Sequence, residues 1–304
     1  MNSVRTLLAE IVDYAGLFPP ASLDMSTTAA NYAAYTASGH AWMLGRLILP
    51  LARLEVFERA AEGLLPTGEN DMPWMISLLL PPVGEFDVRD ALDTIEGFNS
   101  AHSAPAHGLA LIDTLETRAA TASMIDTALE AIPENLAPFF EIPVGADPRG
   151  LIAALAGTPG RAKIRTGAVT PGAIPPTRAV LGFLLACAAA GVAFKATAGL
   201  HHPVRAVRPL TYEPDAPRAP MHGFLNVFLA AAAIRSNLID EPAAADLLDE
   251  TDPDAFVFDA ESVRWNDLRL DDERLALARE DFCLSFGSCS FEEPVDDLIR
   301  LNLL

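Results

Sequence analysis

A single-domain (β/α)8 barrel, the TIM-barrel class, is what this 304-residue chain predicts, on three observations. Short β-rich apolar runs alternate with alanine-rich helical runs, the pattern of a parallel sheet wrapped by helices. The alternation repeats about eight times in a length that suits one such barrel. A doubly wound open sheet shares the alternation, but no GxGxxG follows a first strand here.

The elements follow in chain order. A helix over 4–12 is expected to cover one end of the barrel, and the first strand is read at 14–18, where Tyr14 to Phe18 run into the Pro19-Pro20 exit. A helix at 27–38 completes that unit. The next units pair strand 43–49 with helix 51–62, 74–80 with 88–100, 109–112 with 117–131, and 138–142 with 148–156. The sixth strand, 162–166, precedes helix 177–190, and the seventh, 192–197, precedes helix 222–236. An apolar run at 255–258 is read as the eighth strand.

Three stretches lie outside these units. Residues 202–220 are proline-rich and carry Arg205, Arg208 and Arg218, so they read as a long loop on the C-terminal face, where barrel enzymes place their sites. Residues 239–259 are dense in Asp and Glu without liganding spacing, which reads as a solvated surface. Residues 285–290 suggest a small turn with exposed backbone N–H groups, packing a C-terminal extension at 295–304 against the barrel. No GKS/T motif follows that turn and no GxSxG occurs in the chain, which weakens P-loop and serine-hydrolase readings.

Composition narrows the function classes. With 51% hydrophobic residues the chain can bury a large core. A formal charge of −20 and a pI near 4.5 exclude a nucleic-acid partner and disfavour an anionic membrane, both of which need clustered cations. The apolar runs 179–190 and 225–234 are too short to span a bilayer. Residues 1–10 hold no long apolar core behind a basic start, so no secretion signal is expected. Cys187, Cys283 and Cys289 form neither a disulfide framework nor a CxxC pair. A cytoplasmic protein is the expectation. The acidic surface also allows a homo-oligomer.

Chemistry is indicated by the lysines. The chain has two, Lys163 and Lys195, against nineteen arginines. Arginine replaces lysine as a surface charge but not as an amine, because guanidinium stays protonated whereas a desolvated lysine can act as nucleophile or base. The sixth strand reads Ala162-Lys163-Ile164-Arg165-Thr166-Gly167 and the seventh Phe194-Lys195-Ala196-Thr197-Ala198-Gly199, so glycine follows lysine by four in both. Alternation puts Lys163 and Arg165 on one face, and Lys195 and Thr197 on one face. If these faces line the barrel, the amines stand on strands about 4.8 Å apart. Each would then depress the other's pKa, preparing a Schiff base with a substrate carbonyl.

These matched motifs resemble deoxyribose-phosphate aldolase, a class I aldolase with a TIM-barrel fold. The resemblance implies Lys163 as the Schiff-base lysine, Lys195 as the lysine that lowers its pKa, and an aspartate from an earlier strand, here Asp113, in proton relay. It covers about forty residues around the two strands. Where that family continues into a phosphate-binding turn, this chain has Ala198-Gly199-Leu200-His201-His202-Pro203, so the resemblance does not extend to the family's phosphorylated sugar.

Other residues complete the candidate set. His201 and His202 follow the seventh strand; in an extended chain one of them at most faces the site, as a general acid or base. Arg165 could hold a substrate carboxylate or phosphate, or pair with Glu141 inside the barrel. Asp13, beside the first β/α loop, is a proton-transfer candidate. Glu141, His202 and His222 offer O and N ligands for a divalent ion, the alternative to a cofactor-free site. The first expectation is therefore an aldolase-like carbon–carbon lyase acting on a small carbonyl compound or oxo acid. The alternatives are a metal-dependent barrel hydrolase or lyase and a non-catalytic barrel that binds small acids.

Overall fold

In the computed structural model, which describes residues 3–304, eight parallel strands among those residues close into a barrel. After helix α1 (Ser3–Leu8) the first half runs β1 (Val12–Tyr14), α2 (Met25–Thr36), β2 (Leu44–Pro50), α3 (Leu54–Ala61), β3 (Trp74–Leu79), α4 (Val88–Ala101) and β4 (Ala110–Arg118). The chain continues through α5 (Ala122–Ala131), β5 (Ala137–Ile142), α6 (Arg149–Leu155), β6 (Arg161–Arg165), α7 (Thr177–Ala190) and β7 (Phe194–Thr197). Next come an antiparallel hairpin of β8 (Ala206–Pro209) and β9 (Arg218–Met221), then α8 (Phe224–Arg235) and α9 (Glu241–Asp249). A small antiparallel sheet of β10 (Phe256–Phe258), β11 (Ser262–Trp265) and β12 (Leu268–Asp271) leads into α10 (Asp272–Asp281), β13 (Cys283–Ser288) and α11 (Glu292–Arg300).

The ring order is β1-β13-β7-β6-β5-β4-β3-β2, so the eighth barrel strand is β13 and not the run at 255–258. Three residues separate β10 from β11, and so short a link makes an antiparallel hairpin; a parallel partner needs a crossover of a dozen residues or more. β13 escapes a reading based on apolar runs because its interior face is small and polar. Ser285 and Gly287 point inward, while Phe286 faces the helices and stacks on Phe224 at 5.1 Å. Residues 285–288 are thus strand rather than an anion-binding turn, and β13 with α11 forms the last β/α unit rather than an extension.

Two further boundaries matter for the site. β1 occupies 12–14, so residues 15–18 belong to the loop above it. β4 runs on to Arg118, with a bulge: Ile76 pairs with Ile112 and Ser77 with Thr114, leaving Asp113 as the extra residue.

Local signals hold the helices in place. Asp24, Asp87, Thr121, Asp240 and Asp271 each accept a backbone N–H in the first turn that follows, and Gly191 ends α7 in the left-handed region at φ 64°. The stretch Pro171–Ala190 is long and apolar enough by composition to cross a membrane. Here it is a layer of the barrel wall: Val180, Leu181, Phe183, Leu184 and Cys187 on α7 are buried. Buried from Phe224 to Ile234, α8 is a core helix apolar on every side. The acidic stretch contributes α9 and capping turns, in keeping with a largely solvated surface.

Candidate active site

β6 and β7 pair in register with Lys163 opposite Lys195, and both side chains are buried inside the barrel. The glycine four residues after each lysine has a steric reason. Gly167 and Gly199 touch where the two strands leave the barrel: a Cβ on Gly199, whose φ is 77°, would stand 2.6 Å from the Gly167 Cα. Thr166 reinforces the crossing, donating its hydroxyl to the Ala198 carbonyl at 2.7 Å.

Glu116, on β4, joins the lysines. Its Oε2 lies 2.8 Å from Lys163 Nζ, and its Oε1 accepts from Lys195 Nζ at 2.6 Å and from the Ser77 hydroxyl at 2.6 Å. Lys195 Nζ also donates to Asp13 Oδ2 at 2.6 Å, and Asp13 is held by the Ser285 hydroxyl at 2.7 Å and the Arg46 backbone N–H at 2.8 Å. On the other side Lys163 Nζ lies 3.2 Å from Glu141 Oε2, and Glu141 in turn pairs with Arg118 at 2.9 Å and, at 3.5 Å, with Arg165.

The titration of this network differs from mutual depression of two amines. Burial alone would lower Lys195, but Asp13 and Glu116 outweigh it and raise its pKa above the ordinary value. Burial would raise Glu116, yet Lys163 and Lys195 hold it well below the carboxylate range; Glu141, against its own burial, is lowered by Lys163, Arg165 and Arg118. Lys195 is therefore a fixed cation and Glu116 a fixed anion at neutral pH.

The lysines part company in what they face. Lys163, with Glu116, Glu141, Arg165 and Thr197, lines a cavity of about 740 Å³ at the C-terminal mouth; Lys195 and Asp13 line another of about 580 Å³ at the opposite end. Phe18, Leu79, Leu80, Pro82, Leu210 and Met221 give the mouth cavity its apolar walls.

Both histidines after β7 line the mouth, because the segment is not extended: Ala198 and Gly199 have φ of 60° and 77°. Their partners sit one turn apart on α11, with His201 Nδ1 2.8 Å from Glu293 Oε2 and His202 Nδ1 2.6 Å from Asp297 Oδ2. A carboxylate only accepts, so in the neutral rings Nδ1 carries the hydrogen and Nε2 keeps its lone pair. Burial lowers the His202 pKa against the pull of Asp297.

Besides Lys195 and Asp13, which were expected at the mouth and lie at the opposite end, two more expected members are elsewhere. The bulge turns Asp113 to Arg46, which grips it through two hydrogen bonds of 2.7 and 2.6 Å, away from the mouth. His222 donates from Nε2 to the Pro175 carbonyl at 2.8 Å and accepts at Nδ1 from Arg205 at 3.1 Å, so it does not join Glu141 and His202. Among the described residues no three His, Cys, Asp or Glu side chains form a group that could hold a metal ion.

Glu116 and Glu293 belong to the mouth and were not singled out from sequence; Arg208, read there only as part of the long loop, belongs to it too. The signal for Glu116 was the alternation Thr114-Leu115-Glu116 beyond Ile112, which keeps Thr114 and Glu116 on the inner face. Comparison with models of known families, with curated proteins and with solved structures finds no match to this chain.

Proposed function

We propose that the protein is a class I aldolase-type lyase that forms a Schiff base between Lys163 and a small carbonyl substrate. The observation that carries this reading is an asymmetric amine pair: Lys163 opens on the mouth cavity, while Lys195, kept charged, lies behind it across a shared Glu116. Lys163 gives up one ammonium proton to solvent in the mouth cavity, and its nitrogen lone pair attacks the carbonyl carbon. A C–N bond forms, the oxygen takes up two protons and leaves as water, and a protonated imine remains.

Carbon–carbon cleavage follows when a base takes the proton of a hydroxyl two carbons from the imine carbon. That oxygen becomes a carbonyl, the intervening bond breaks, and its electron pair enters the imine to give an enamine. His201, with Nε2 free to accept and Nδ1 fixed by Glu293, is the group at the mouth suited to that proton transfer. Protonation of the enamine carbon and addition of water return Lys163 and the second product. Glu116 and Glu141 beside Nζ stabilise the cationic imine, so the site is built for a positive charge there.

Three free cysteines support a reducing, cytoplasmic setting. The decisive experiment is borohydride trapping with a panel of small aldehydes and oxo acids, read by intact mass and peptide mapping. A reduced adduct on Lys163, absent in Lys163→Arg, is the expected result. No adduct from any panel member, together with unaltered turnover by a folded Lys163→Arg protein, would overturn the reading.

A further inference from the structure

Arg208 has no part in the scheme above. It stands on β8, in the hairpin that closes one side of the mouth, and lines the cavity with Pro209, Leu210 and Tyr212. The other two arginines at the mouth, Arg118 and Arg165, share Glu141. Arg208 has no ion pair among the described residues, and its Nε is buried without a hydrogen-bond partner. A buried guanidinium N–H left unpaired costs about 1–3 kcal/mol or more, so its persistence at a cavity wall calls for a ligand.

The hairpin that carries Arg208 is held in place. Leu210, Ala219 and Met221 pack with Ile174 in a small apolar cluster, and the Tyr212 hydroxyl donates to Glu293 at 3.2 Å. A guanidinium so fixed presents Nε and one Nη side by side, the geometry that grips a planar carboxylate with two parallel bonds. A phosphate dianion needs more donors than one guanidinium offers. The cavity that Arg208 and Lys163 both line has Leu79, Leu80 and Met221 among its walls, suited to a short carbon chain.

We infer that Arg208 binds the carboxylate of the substrate, making the natural substrate class an oxo acid whose carbonyl reaches Lys163. This inference rests on the Schiff-base reading for the carbonyl end and on the cavity alone for the anionic end.

The test compares 2-oxobutanoate, propanal and glyceraldehyde 3-phosphate as borohydride-trapping probes in wild type, Arg208→Gln and Arg208→Lys, with melting temperature as the folding control. Arg208→Gln should raise the half-saturating concentration of 2-oxobutanoate relative to that of propanal about tenfold or more, the worth of a charge-assisted bidentate contact. Arg208→Lys, which keeps charge but loses the fork, should fall between. An unchanged ratio, or preferential trapping of the phosphorylated aldehyde, overturns the inference. If no carbonyl labels Lys163, the lyase reading fails and the anion site is read separately by calorimetric titration of succinate and inorganic phosphate. Succinate binding weakened about tenfold in Arg208→Gln supports the carboxylate site; equal binding in both proteins, or binding of phosphate in preference, removes it.

Discussion

The two ends of the barrel interior hold the same kinds of side chain under different constraints. At the base, Lys195 is clamped between Asp13 and Glu116, Arg46 grips Asp113 with two bonds, and Arg279 donates to the carbonyls of Leu7, Ala9, Cys283 and Leu284. At the mouth, Arg165 reaches Glu141 at 3.5 Å while 43% exposed, and Arg208 reaches no carboxylate among the described residues. A cation with its full set of partners is structure; a cation short of partners at a cavity wall is available to a ligand. Glu116 is the hinge of the comparison, since one carboxylate serves a lysine from each end.

Exchanging the amines gives the largest contrast. Lys163→Met should bring borohydride labelling to background in the mass spectrum. Its cost in stability should be modest, about 2 kcal/mol, because Glu116 keeps Lys195 and Glu141 keeps Arg118. Lys195→Met inverts the balance: Asp13 loses its counter-ion in a buried site, which costs about 3–5 kcal/mol in urea unfolding. Equal destabilisation by the two variants would erase the distinction between the ends.

Acid and alkali probe the same network from opposite sides. Glu116 and Glu141 titrate below their ordinary value of 4.5, so their contribution is complete above that pH and is lost as pH falls towards their native values. Lys195 titrates above 10.5; its contribution is complete below that pH and is lost as pH rises through its native value. Stability from this network should therefore be flat between about 4.5 and 10.5 and fall on either side. A melting temperature that changes steeply through neutrality in wild type but not in Glu116→Gln would contradict it.

The register of the lysines is a smaller effect with the same logic. Gly167→Ala places a methyl against Gly199 backbone, and overpacking of this kind costs about 1–3 kcal/mol. Because the contact fixes where β6 and β7 leave the barrel, labelling of Lys163 should slow along with the loss in melting temperature. Stability lost with labelling intact would make the glycine pair structural only.

Much of this frame was legible beforehand, and the misses share a cause. Lys163, Arg165, Lys195 and Thr197 follow from strand period and residue rarity, which are local properties. The eighth strand was misplaced because Ser285 and Gly287 replace the apolar residues that usually mark a buried strand, and they do so to meet Asp13 and to line the mouth. Asp113 was assigned to the site as the relay aspartate that the resemblance implies; a bulge, which has no signature in one sequence, turns it to Arg46 instead, and the strand read at 109–112 stopped short of Glu116. Which side chains pair across strands was equally out of reach: Glu116 lies 79 residues from Lys195, and only barrel closure brings them together.

Arg118 offers the smallest effect and the finest reading of the rim. Its side chain is 59% exposed and pairs with Glu141 at 2.9 Å, while Glu141 also meets Lys163 and Arg165. A solvated partner of this kind is worth about 0–1 kcal/mol, so Arg118→Gln should leave the melting temperature within a degree or two. Glu141 would then rely on Lys163 and Arg165 for its counter-charge, and the rate of borohydride labelling at fixed pH should change by no more than about fivefold. A larger change would mean that Arg118 acts on Lys163 beyond its share of Glu141, and the rim would then tune the nucleophile as well as shape the cavity.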